Sequence, residues 1–119
     1  AAAAGAGITN HVSMYGTQDI PSAYEDYFDS APWEDEKQYL DRSPMFHVKN
    51  ATTPLLILHG ALDPRVPPSQ AFEFYNALKR KGVETQMVTY PRTQHGPQEP
   101  KFTQNIMERH IEWVEKHLQ

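Results

Sequence analysis

The sequence contains no cysteine, which excludes disulfide cross-links, thiolate nucleophiles and cysteine-ligated metal. It has no apolar run near the roughly 18 residues that a membrane-spanning helix needs. The opening Ala1-Ala2-Ala3-Ala4 has neither the basic flank nor the long apolar core of a secretory signal. A cytoplasmic location, with no membrane partner, is the expectation. Positive charge is also scarce, with 11 Lys and Arg against 15 Asp and Glu. Without a basic surplus or cluster, nucleic acid is not an expected partner. The 6 histidines never fall at the H-x-x-x-H spacing that sets two ligands on one helix face. His110 and His117 do share a face, but two ligands make no site. No metal and no cofactor are expected.

What is present fits one domain of 119 residues with a modest core. Residues 1–7 are all Ala and Gly, and Gly5 and Gly7 would stop a helix within a turn. They read as a tightly packed strand or the end of an element. Gly5-Ala6-Gly7 is too little for a dinucleotide loop, because the third glycine and the later acid do not follow in register. Residues 8–53 read as an irregular, aromatic-rich connection carrying Tyr15, Tyr24, Tyr27, Phe28, Trp33, Tyr39 and Phe46. Pro21, Pro32 and Pro44 cut it into short pieces, and Pro21-Ser22 and Pro32-Trp33 can each open a short helix. Such a connection commonly walls a binding site; its aromatics equally suit a cap on one end of the core.

Residues 54–119 read as a βαβα segment. The unbroken apolar run at 54–58 suits a strand buried on both faces. A helix follows over 69–81, with Phe72, Tyr75 and Leu78 along one face and Gly82 as its stop. Residues 83–90 form the next strand, closed by Pro91. The last helix spans 102–118, with Phe102, Ile106, Val114 and Leu118 in a stripe that Ile111 and Trp113 widen. This order predicts parallel strands with flanking helices.

Asp63 and His95 stand just past the ends of these two successive strands. Ligand crevices of open parallel sheets lie outside the carboxyl ends of the strands, and neighbouring strands are about 5 Å apart. A carboxylate so placed can fix an imidazole's tautomer and stabilise its cation, making it a base toward a hydroxyl. Asp63 before Pro64 alone would suit a turn, and His95 before Gly96 a solvated loop. Their pairing at successive strand ends favours chemistry. His59, at the end of the first strand and next to that pair, reads as a packing residue or as one that supports the pair from behind. Asn50-Ala51-Thr52 matches a glycosylation sequon, uninformative without a secretory context.

The run His59-Gly60-Ala61-Leu62-Asp63-Pro64-Arg65-Val66-Pro67, then Gln70, resembles the catalytic-Asp segment of prolyl oligopeptidase-type serine peptidases, with their acylaminoacyl-peptidase and dipeptidyl-peptidase branches. Leu78-Lys79-Arg80-Lys81-Gly82-Val83, Tyr90-Pro91 up to His95-Gly96, Ala31-Pro32-Trp33-Glu34, Arg42-Ser43-Pro44 and Gly5-Ala6-Gly7 are similar to the same family. The resemblance spans the chain and implies the C-terminal portion of an α/β-hydrolase fold. It implies Asp63 as triad acid and His95 as triad base. Arg65 would hold a substrate backbone carbonyl, and Val66 would line the pocket for the residue before the scissile bond. The family often has Gly-x-Gly before the histidine, where this chain has Arg92-Thr93-Gln94.

No serine is in the G-x-S-x-G context of a nucleophile elbow: not Ser13, Ser22, Ser30, Ser43 or Ser69. The nucleophile, its oxyanion-hole amide and any gating propeller are therefore expected N-terminal to Ala1. The expectation is a peptidase segment, inactive alone, whose full-length enzyme takes peptide or acyl-peptide substrates. A carboxylesterase on the same fold is the alternative within enzymes. Outside enzymes, an inert α/β fragment could assemble as a homo-oligomer through an exposed sheet edge.

Overall fold

Strand β2 (Leu55–Gly60) is the middle of a parallel sheet, flanked by β1 (Ala2–Gly5) and β3 (Thr85–Tyr90) in the order β1-β2-β3. The structure is a computed structural model that describes residues 1–118. Ala2 pairs with Leu55 and Gly5 with Leu58, while Leu55 pairs with Thr85 and Gly60 with Tyr90. Having a neighbour on each side and cover on both faces, β2 is buried from Leu56 to Gly60. Its alternate side chains point to opposite faces. Leu56 and Leu58 meet Tyr90 and Trp113, with Phe102 and Ile106 of α5 (Pro100–His117) packed against them. Helix α4 (Ser69–Lys81) packs on the sheet as the β2–β3 crossover.

The expected strand at the N-terminus is there, but it is not tightly packed. Among the described residues β1 pairs on one side only, and its Ala and Gly side chains cover little, so it is mostly exposed. Helix α4 matches the predicted bounds and ends at Gly82 with φ 85°, the left-handed stop that glycine adopts without strain. Its buried face is only partly the one expected, with Leu78 inside and Tyr75 half-buried. Gln70, Ala71 and Leu78 are buried, while Phe72 is exposed. The last helix likewise turns Trp113 inward and leaves Ile111, Val114 and Leu118 exposed. Phe102 and Ile106 of the expected stripe do pack against the cluster of Leu56, Leu58, Tyr90 and Trp113.

Residues 8–53 are more regular than expected. They hold α1 (His11–Tyr15), α2 (Ser22–Phe28), α3 (Glu36–Arg42) and a 3₁₀ segment (Pro44–Asn50). Pro21 introduces α2 as anticipated, whereas Pro32 leads only into a turn, and α3 begins after Asp35, whose carboxylate accepts from the Gln38 amide. Met14, Tyr24, Phe28, Tyr39 and Val66 form a second core cluster. Phe28 stacks on Tyr39 with ring centroids 4.1 Å apart, and the Tyr39 hydroxyl donates to the Ser30 carbonyl at 2.6 Å. Val66 belongs to the Asp63 loop, so the aromatic layer abuts the ends of the strands.

Candidate active site

The Asp63 and His95 loops are stitched together by backbone. The Ala61 amide donates to the Tyr90 carbonyl at 2.9 Å and the Leu62 amide to the Thr93 carbonyl at 3.0 Å. Gly60 makes this possible: a Cβ there would lie 2.0 Å from the Gln94 oxygen and 2.5 Å from the Thr93 oxygen. Arg92 takes φ 62° at the first of the positions where the resembling family often has glycine. Its guanidinium is held by both carboxylate oxygens of Glu99, at 2.9 and 3.0 Å.

Asp63 is 3% exposed. Its Oδ1 accepts from the amides of Arg65 (2.9 Å) and Val66 (3.0 Å), which fixes the carboxylate plane. Its Oδ2 is 2.9 Å from His95 Nδ1. A carboxylate can only accept, so Nδ1 carries the proton and Nε2 offers its lone pair. The Asp63 side chain is fully covered while half of the His95 side chain reaches solvent. The arrangement can therefore orient an imidazole, stabilise its cation, and take a proton at Nε2 from a hydroxyl brought against it. The hydroxyls of Ser13, Ser30 and Ser43 donate elsewhere, to the carbonyls of Asn10, Phe28 and Tyr39. Ser22 and Ser69 open α2 and α4.

A cavity of about 470 Å³ reaches His95, lined by Ile8, Met14, Tyr24, Phe28, Arg65 and Val66 among others. The structure thus brings all four residues singled out from the sequence to one place. Arg65 is engaged by a partner that no pattern announced. Its Nε donates to Asp19 Oδ1 at 2.5 Å and its Nη2 to Oδ2 at 3.4 Å. This bond holds the Asp19 carboxyl below its ordinary range, with Arg65 and His95 adding electrostatic pull.

The roles of two more residues escaped the sequence reading, although Gln70 stands in the motif quoted above. His11 Nδ1 lies 2.9 Å from the Tyr24 hydroxyl, and burial, helped by Arg42, lowers its pKa. Gln70 is fully buried and bonds the segment that carries the cavity wall. Its Oε1 accepts from the amides of Thr9 (3.0 Å) and Asn10 (2.8 Å), and its Nε2 donates to the Ser13 hydroxyl at 2.8 Å. Such partners, about 60 residues away in sequence, leave no local signal. Among the described residues no cluster of three or more His, Asp or Glu could hold a metal ion. No helix there is long and apolar enough to cross a membrane.

The sequence model of the prolyl oligopeptidase family matches residues 1–119. The chain is 40% identical over 89 residues to the uncharacterized peptidase YuxL of Bacillus subtilis, covering 74% of this chain. It is 38% identical over 109 residues to an acylamino-acid-releasing enzyme of Arabidopsis thaliana, covering 85% of this chain. It spans 14% of the length of each of these relatives. An uncomplexed acylaminoacyl peptidase of Pyrococcus horikoshii superposes with a TM-score of 0.89 at 26% identity, over 98% of this chain and 20% of that one.

Proposed function

This chain belongs to the prolyl oligopeptidase family, and on that premise we propose that it is the acid-and-base segment of a serine peptidase acting on peptide or acyl-peptide bonds. Its three parallel strands and flanking helices are part of an α/β-hydrolase fold. The observation that carries the reading is the bond from His95 Nδ1 to the fully covered Asp63 carboxylate at 2.9 Å, at the mouth of an apolar cavity.

The nucleophile is a serine on an elbow upstream of Ala1, in a parent protein longer than this chain. His95 Nε2 takes the hydroxyl proton as the serine attacks the carbonyl, and Asp63 stabilises the imidazolium that results. His95 then returns the proton to the departing amine. Arg65 turns from Asp19 to the backbone carbonyl of the substrate, and Val66 with its aromatic neighbours receives the side chain before the scissile bond. The names of the relatives favour acylated peptides, and the triad logic admits esters on the same site. Alone, the chain lacks nucleophile and oxyanion donors and does not turn over substrate. The open edge of β1 makes it prone to pair with a second copy.

Fluorophosphonate labelling read by intact mass tests this. The 13.6 kDa chain remains unlabelled, whereas a longer parent is labelled, and loses most of its reactivity as the His95→Ala variant. Labelling of the 13.6 kDa chain itself would overturn the assignment. Comparing an acyl-peptide amide with its ester then separates peptidase from esterase.

A further inference from the structure

His59, next to last in β2, has no part in the chemistry proposed above, yet its side chain is fully covered and lies against the acid. Its Nε2 is 2.8 Å from the Val66 carbonyl oxygen and 3.6 Å from Asp63 Oδ2. Both oxygens can only accept, so Nε2 carries a proton. Among the described residues Nδ1 has no hydrogen-bond partner and is buried. A proton there would create an orphaned donor, so the arrangement selects the form bare at Nδ1. Val66 is held at both ends: its amide donates to Asp63 Oδ1 at 3.0 Å, and its carbonyl accepts from His59. The 63–66 turn is closed by these bonds. The next residue, Gly60, lies directly against the Thr93 and Gln94 backbone that leads into His95.

We propose that His59 is a positioning residue for the Asp63–His95 pair, its Nε2–H fixing the Val66 carbonyl and thereby the plane of the Asp63 carboxylate. This rests on Asp63 and His95 being the acid and base. Asp63 Oδ2 is faced by the imidazoles of His95 and His59. The other charged groups near His95 are Asp19 and Arg65, an exposed ion pair whose arginine lines the same cavity.

The test is imidazole ¹H–¹⁵N NMR on the ¹⁵N-labelled full chain, with His59→Gln and His59→Leu variants. In the wild type, His59 shows the Nε2–H tautomer, and the His95 Nδ1 proton is protected from exchange. His59→Gln, whose amide can still donate to Val66, keeps that protection. His59→Leu loses it by roughly ten-fold, while amides of the sheet stay protected. Unchanged His95 protection in a folded His59→Leu, or an Nδ1–H tautomer at His59, would overturn the proposal. Should His59→Leu not fold, the wild-type tautomer and the Gln variant decide. A wild-type His95 whose Nδ1 proton is unprotected would instead sink the acid–base reading, and this proposal with it.

Discussion

A methyl group on Gly60 would lie 2.0 Å from the Gln94 carbonyl oxygen, and those atoms are backbone that cannot swing aside. Gly60→Ala should therefore displace the 93–95 segment, costing about 1–3 kcal/mol in urea unfolding and separating His95 from Asp63. Gly16 has nothing within 4 Å of its would-be Cβ, and Gly16→Ala should change stability by less than about 0.5 kcal/mol. Arg92 carries a different constraint, a left-handed φ of 62° that costs an L residue about 1–2 kcal/mol. Arg92→Gly and Arg92→Ala both lose the Glu99 pair, but only Ala keeps the steric penalty. The Gly variant should be the more stable by about 1 kcal/mol in the same assay. The meeting of Asp63 and His95 was legible because each follows a strand whose apolar run is visible in the sequence. The reason glycine stands at 60 was not, since it depends on a loop more than thirty residues away crossing over it.

Between elements, Gln70 joins α4 to the segment leading out of β1. Gln70→Leu would leave the Thr9 and Asn10 amides without their acceptor and should cost about 2–4 kcal/mol, read from the urea midpoint. The aromatic layer makes the stability of the fold depend on pH. Burial, then Arg42 on α3, lowers the His11 pKa from its ordinary 6.5, so the folded state favours neutral His11. That stability is complete above pH about 6.5 and is lost as pH falls toward the lower folded value. The thermal midpoint of the wild type should drop more steeply between pH 7 and 5 than that of His11→Asn. Tyr24, Phe28 and Arg42 are the groups that surround this imidazole. At the other limit, burial raises the pKa values of Tyr24 and Tyr39 above 10. Stability should fall once pH passes about 10, where the unfolded tyrosines ionise. The short helices of this layer were largely hidden from the sequence, because helices of 5 to 7 residues persist by packing rather than by propensity. The longer α4 and α5 were legible in extent; Leu78, Phe102, Ile106 and Trp113 pack inward as expected, and only Phe72, Ile111, Val114 and Leu118 were misplaced.

The molecule exposes 7314 Å², where a self-contained monomer of its 13.6 kDa would expose about 6,600 Å². Its radius of gyration is 15.2 Å, against about 13.5 Å for a compact domain of this length. The excess is not spread evenly. Met107, Ile111, Val114 and Leu118 stand exposed at spacings of four, three and four, one stripe along the last helix. Among the described residues the edge of β1 is open as well, with small side chains, no charge and no proline within Ala2–Gly5 to deter pairing. Sequence patterning gives the strands and their parallel order, but an edge exists only once neighbours are counted. In sedimentation velocity the isolated chain should therefore self-associate as its concentration rises. Ala3→Lys should weaken that association if β1 pairs with β1 of a second copy, because it sets a charge on the edge. An Ile111→Lys, Val114→Lys double variant should weaken it instead if the helix stripe is the contact. A wild-type chain that remains monomeric at several hundred micromolar would mean that the surplus surface is tolerated by water, and would count against pairing through either face.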